Sequence, residues 1–257
     1  MLLAILLLAA GPTGPAIPAD VRFEACMDTA LTDTGLGIAE ADRWIAADGG
    51  FIARACKGFA LSEASRFAEA QAVFAEASRL AEDAGDRRAG RYAAQAGNAA
   101  LVAGDAAAAL ALFERAATLS AKEPAPARGA ILLDRARALV ALGREAEARA
   151  LFPAILDLAP ADPLAWLLSA TLARRMGDFD LARAHAAEAG SRATADPAIA
   201  LELGNIAYAG GDEANARTLW QRTIDLAPAS DAAATASAHL ARLGVPDAGT
   251  PSVAATR

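Results

Sequence analysis

Few residues in this chain are of types that do chemistry, and they are scattered. The histidines, His185 and His239, fall in different stretches, and neither is spaced to a serine, cysteine or carboxylate as a catalytic triad or metal site requires. Cys26 and Cys56 are distant from both in sequence, so a Cys/His metal site is not expected, and no cofactor is. The hexapeptide GLGIAE, residues 35–40, has glycines suited to a phosphate-binding turn. It follows no expected strand and lacks the lysine of a P-loop, so a helix N-terminus accounts for it more simply. Carboxylates are plentiful, but on amphipathic helices they form the solvated face. No enzyme constellation emerges, and what remains to act is a surface.

The elements that must build this surface are helices. Of the 257 residues 55% are hydrophobic but only 5% aromatic, so the core is made mainly of alanine and leucine. Alanine is the strongest helix former, and its small side chain lets helices approach closely. The net charge of −7 and the absence of any Lys/Arg-rich run argue against nucleic acid and against an anionic membrane surface as partners.

The helical runs repeat. Gly143, Gly177 and Gly211 stand 34 residues apart at equivalent turns, and Gly104 and Ser65 continue the series upstream at intervals of 39. The extra five residues are placed in PAPAR, 124–128, and GDRRA, 85–89, as loops between units. Five residues after each turn stand Ala70, Ala109, Ala148, Ala182 and Ala216, and nine after stand Phe74, Phe113, Phe152, Ala186 and Trp220. One helical turn separates the two positions, so both face the core, Trp220 included. Seven before each turn the residues are Gly58, Gly97, Ala136, Ala170 and Gly204, small enough for close packing of the paired helix. Pro160 and Pro228 close two of the units.

This unit, with its small residue, turn, alanine, aromatic and closing proline, resembles the tetratricopeptide repeat, and Trp166 and the LGN at 203–205 match that family's first helix. The resemblance implies an all-α fold, a right-handed α-solenoid of antiparallel helix pairs with capping helices at both ends. Five units are read at 51–84, 90–123, 129–162, 163–196 and 197–230. Arg135 and Ser169 depart from the family pattern by standing where leucine is usual, and Arg54 stands where Trp166 does later.

A stack of repeats needs capped ends. Residues 20–50 read as a degenerate N-terminal helical pair and 231–245 as a C-terminal capping helix, followed by an aperiodic tail at 246–257 expected to be disordered. Residues 1–19 contain an apolar run, Leu2 to Ala10, that is too short to span a bilayer and suits a signal peptide, although no Lys or Arg precedes it. Export to the periplasm or beyond is expected, with no membrane span left after leader removal. In that compartment Cys26 and Cys56 would pair, stapling the cap to the first unit for about 3–4 kcal/mol in the chain-entropy account. Two buried thiols acting as small hydrophobes are the alternative.

In the resembled family the first helices line a concave groove that takes extended peptides or partner helices. By helical spacing the groove-facing residues here are Arg91, Gln95 and Asn98, then Asp134 and Arg137, then Thr171, Arg174 and Arg175, then Glu202, Asn205 and Tyr208. Asn98 and Asn205 fall where family members hold a ligand backbone. Four arginines against two acids favour an acidic segment or chain terminus, since a guanidinium grips a carboxylate with two parallel hydrogen bonds. The family's full carboxylate clamp is absent, its lysine and second asparagine being missing. Tyr208 is the strongest single anchor candidate. The expectation is a non-enzymatic scaffold or adaptor of the cell envelope that binds a protein or peptide. The alternative is a periplasmic protein binding a small ligand, glycan or cell-wall fragment, for which Tyr208 alone supplies little stacking surface. Self-association through an imperfect C-terminal cap is left open.

Overall fold

The computed structural model describes residues 18–244; the apolar leader run and the tail from 246 lie outside that range. The described residues form thirteen α-helices and no strand. First come α1 (Ala19–Thr32) and α2 (Thr34–Ala46), then α3 (Gly50–Glu63) with α4 (Phe67–Asp83), and α5 (Ala89–Val102) with α6 (Ala106–Leu119). They continue as α7 (Ala125–Ala141) with α8 (Glu145–Leu158), α9 (Pro163–Arg175) with α10 (Phe179–Arg192), α11 (Pro197–Ala209) with α12 (Glu213–Leu226), and α13 (Asp231–Gly244). Helices α1 to α6 form one compact unit and α7 to α13 a second, divided between Lys122 and Glu123. No described helix is long and apolar enough to cross a membrane.

The turn inside each pair is built the same way. Ser65, Gly104, Gly143, Gly177 and Gly211 all have positive φ, at 58°, 87°, 72°, 80° and 85°. The next residue's N–H then reaches back to a carbonyl of the first helix: Arg66 to Leu61 (2.8 Å), and Asp105 to Ala100, Arg144 to Leu139, Asp178 to Ala173 and Asp212 to Ala207 (2.9 Å each). This left-handed closure satisfies carbonyls that the helix end leaves open. The donor residue also starts the second helix. The Asp105, Asp178 and Asp212 carboxylates accept the N–H of Ala108, Leu181 and Asn215. Arg66 and Arg144 instead hold Glu69 and Glu147 in the first turn, where a carboxylate suits the helix dipole.

Within a pair, a small residue on the first helix meets a large one on the second. A Cβ placed on Gly58 would stand 2.8 Å from the Phe74 ring, on Gly97 2.6 Å from Phe113, and on Gly204 2.5 Å from Trp220. The rings fill the space those side chains would take, and all three are buried. The α9–α10 pair solves the same problem differently, because both facing positions are alanines, Ala170 and Ala186. Beside them the Ser169 hydroxyl hydrogen-bonds His185 Nδ1 across the seam at 2.8 Å, and Trp166 packs edge-on against the imidazole. Ser169 thus replaces the usual leucine where a polar pair takes over from an aromatic.

One local reading changes and one holds. The residues PAPAR form no loop: Pro124 caps α7 and Pro126 sits in its first turn, where a missing N–H costs nothing, so the extra residues lengthen the helix. GLGIAE lies inside α2, with Gly37 packed on Ala30 (2.7 Å from a built Cβ to the Ala30 Cβ) and Asp33 capping Leu36 N–H at 2.9 Å. The glycine there serves helix contact and not phosphate. Arg54, in turn, pairs with Glu76 of α4 at 2.8 Å.

Cys26 of α1 and Cys56 of α3 form a disulfide with Cα atoms 6.2 Å apart, within the usual span. Both are buried beside Ala41, Trp44 and Ala53, so the bridge ties the N-terminal pair to the first repeat through a packed cluster.

Glycine substitutions separate packing from backbone. Gly204→Ala should lower stability by about 1–3 kcal/mol, since the Trp220 ring would have to move, whereas Gly190→Ala, whose Cβ meets only Ile199 at 3.8 Å, should be neutral or stabilising. At the turns, Ser65→Gly should stabilise by up to about 1 kcal/mol and Gly104→Ala destabilise by about as much. Urea unfolding followed by helical circular dichroism reads all four, and equal effects of Gly204→Ala and Gly190→Ala would contradict the packing account. Reduction of the disulfide should cost about 2–4 kcal/mol in the same assay.

Candidate functional site

In the second unit, the residues expected to reach outward are largely engaged with one another. Arg174 of α9 grips Glu202 of α11 with two hydrogen bonds, Nε to Oε1 at 2.6 Å and a terminal nitrogen to Oε2 at 3.3 Å. Glu202 is only 6% exposed, so this ion pair is partly desolvated and geometrically fixed. Asn205 donates its Nδ2 to Glu202 Oε2 (3.2 Å) and accepts the Trp220 Nε1 proton at Oδ1 (3.1 Å). One polar chain, Arg174–Glu202–Asn205–Trp220, therefore links α9, α11 and α12. A buried polar group left unpaired costs more than the pair contributes, so each member holds the next in place.

The other unit-two candidates are similarly occupied. Arg137 pairs with Asp134 (2.9 Å), Arg175 pairs with Glu145 of α8, and Thr171 returns its hydroxyl to the Leu167 carbonyl (3.0 Å). The positive bias inferred from sequence is thus smaller than the residue types suggested, because carboxylates of this chain answer Arg137, Arg174 and Arg175. In the first unit, Arg91 and Gln95 are exposed and Asn98 is half-buried, with the Arg91 guanidinium over the Tyr92 ring at 5.8 Å. Three of the eleven positions thus fall in the first compact unit and eight in the second.

What the second unit does assemble is a cleft of about 380 Å³ between α9, α11, α12 and α13. Its wall includes Arg174, Asn205, Tyr208, Trp220, His239 and Arg242. Trp220 is 1% exposed and belongs to the core, yet its ring stacks on His239 (centroids 4.8 Å apart, planes at 23°) and approaches Tyr208 at 5.6 Å. Tyr208 is half exposed. Arg242 is exposed, and no carboxylate among the described residues pairs with it. Burial, followed by the nearby Arg242 and Arg174 charges, holds His239 below the usual histidine range.

His239 and Arg242 were not among the residues singled out from sequence. They lie on the capping helix, outside any first-helix pattern, and only their i, i+3 spacing on one face of α13 could have brought them together. A smaller cleft of about 150 Å³, lined by Ala136, Val140, Phe152, Leu168 and Leu172 with Arg137 and Arg175 at its edge, lies between α7, α8 and α9.

The Ser169–His185 contact has the atoms of a nucleophile and base, but Ser169 is 4% exposed in mid-helix and its hydroxyl faces the seam. Among the described residues no group of His, Cys, Asp or Glu is placed to hold a metal.

Comparison with known proteins follows the helix-pair geometry. The family model for the tetratricopeptide repeat matches residues 100–172. No curated protein sequence matches. Among solved structures, PilW, a widely conserved type IV pilus biogenesis factor, superposes with a TM-score of 0.70 at 17% identity, covering 86% of this chain and 99% of PilW. The pilF protein of Pseudomonas aeruginosa gives 0.64 at 17% identity, over 86% of this chain and 99% of its own. YrrB, a TPR protein with an unusual peptide-binding site, gives 0.53 at 20% identity, over 73% of this chain and 91% of its own. Identities this low carry the fold alone. The matched segment, the recurring turn and the recurring small-to-large contact agree: residues 100–172 match the tetratricopeptide repeat, and the described helix pairs have the fold of tetratricopeptide-repeat proteins.

Proposed function

We propose that this protein is a non-enzymatic scaffold of the cell envelope that binds a segment of another polypeptide on the first-helix face of its second unit. The observation that carries the proposal is the cleft at α11 and α13, where exposed Tyr208 stands over a fixed polar chain and Arg242 has no carboxylate partner among the described residues. An aromatic with a polar tip beside a free guanidinium is the composition enriched at protein contacts. The peptide-binding site of YrrB and the description of PilW as a type IV pilus biogenesis factor, on similar folds, support the class of function.

Export rests on the apolar run Leu2 to Ala10 and on the Cys26–Cys56 bridge, which persists in an oxidising compartment. The ligand is acidic in this reading, since the unanswered charge in the cleft is positive. Self-association would use the same end of the chain, through α13.

A photocrosslinking amino acid at Tyr208 in cells should capture discrete polypeptides from the envelope fraction, and the same probe at Gln221, on the exposed face of α12, should not. Absence of any specific adduct at Tyr208, together with a thermal shift on adding cell-wall fragments, would replace the scaffold with a glycan-binding protein. Intact mass of the purified mature protein should show a chain lacking the leader and two mass units lighter than its reduced form; an unprocessed, reduced chain would contradict export.

A further inference from the structure

The cleft wall contributed by the capping helix is chemically unlike the rest of the first-helix face. On the preceding first helices, Arg137, Arg174 and Arg175 each hold a carboxylate of this chain. At α13 the pattern stops: Arg242 and His239 face the cleft one helical turn apart, with Trp220 behind His239 and Tyr208 opposite. The charged groups around the imidazole are few. Helix α9 presents Arg174, already on Glu202; α11 presents Glu202, which is buried, with the neutral Asn205 and Tyr208; and α13 presents Arg242. At the rim, Arg217 of α12 is held by Glu213 (3.0 Å) and by the Leu243 carbonyl (2.9 Å). Glu202 is thus already paired, while among the described residues no carboxylate answers Arg242 on the cleft wall beside the titratable ring of His239.

We infer that Arg242 and His239 form a carboxylate-binding site that receives an aspartate or glutamate side chain of the bound polypeptide, and that binds it more tightly as His239 takes up a proton. The inference rests on the scaffold reading above and names the chemistry of its anchor. A guanidinium holds the carboxylate with charge-assisted hydrogen bonds. The stack on Trp220 fixes the imidazole plane so that a proton gained on the ring adds a second charge at the same place. The sign follows from the environment. Burial and two guanidiniums disfavour the protonated ring in the free protein, and an arriving carboxylate cancels part of that repulsion and raises its proton affinity. Binding therefore takes up a proton, and affinity rises as pH falls through the interval between the free and bound pKa values.

The test uses the full mature protein and two fluorescein-labelled probes, hexaglutamate and hexaglutamine, with anisotropy read at pH 7.5 and 5.5. Glutamate stays mainly ionised at both. Hexaglutamate should bind and hexaglutamine should not, and hexaglutamate affinity should rise about fivefold at the lower pH, the scale of one solvent-exposed ion pair. Arg242→Gln should weaken binding about tenfold or more at both pH values. In His239→Gln the ratio of hexaglutamate affinities at pH 5.5 and 7.5 should fall to about one. Both residues lie at the cleft surface, and melting temperatures close to the parent's would establish that the variants are folded. Equal binding of the two probes, undiminished affinity in Arg242→Gln, or a pH dependence that survives His239→Gln would each overturn the site. Capture of polypeptides at Tyr208 alongside any of those results would leave the scaffold standing and remove only its anchor.

Discussion

The closeness of the two helices in each pair is the constraint on which the rest of this structure depends. Glycine at 58, 97 and 204 lets an aromatic ring from the partner helix lie where a side chain would otherwise stand. With few aromatics in the chain, Phe74, Phe113 and Trp220 serve as the large halves of these contacts, and alanine supplies much of the remaining core. The turn geometry answers to the same constraint. A left-handed residue at the end of the first helix reverses the chain within a few residues, so the second helix starts already in contact with the first.

That packing also decides what the surface can do. Because Gly204 admits Trp220 fully into the seam, the indole N–H emerges at Asn205, and its ring face lies under His239. Asn205 is thereby committed at both ends of its amide, and Glu202 is committed to Arg174. Residues that look like ligand contacts are, in this arrangement, the rigid floor against which Tyr208, His239 and Arg242 are held. Pre-organisation of this kind lowers the ordering cost of binding without adding a contact.

The fold was legible in the sequence because the period, the turn residues and the small-to-large pairing are each local or fixed in spacing. Ser65 shows the reach of that logic: the turn series places it where only positive φ closes the pair, and the backbone adopts it although serine pays for it. The polar contacts were less legible. Whether Arg174 meets a ligand or Glu202 depends on the crossing of two first helices 28 residues apart, which no single-helix pattern encodes. His239 and Arg242 escaped because the capping helix belongs to no complete unit. The Ser169–His185 bond, 16 residues apart across the α9–α10 seam, reads from sequence as a departure at Ser169 and an unrelated lone histidine, and is instead one polar pair in place of an aromatic contact. PAPAR was misplaced because prolines that mark a loop in most settings are equally at home in the first turn of a helix.

The central claim is that the contact surface is the cleft built on Trp220 and that the polar chain beneath it is structural. Side-chain NMR of the indole N–H resonances during titration with hexaglutamate addresses this most directly, since Trp44, Trp166 and Trp220 lie in separate environments. The account predicts that the Trp220 resonance shifts and saturates while staying protected from solvent exchange by Asn205, and that Trp44 and Trp166 remain unmoved. Shifts at Trp44 or Trp166 with Trp220 silent, or rapid exchange of the Trp220 N–H in the free protein, would contradict it.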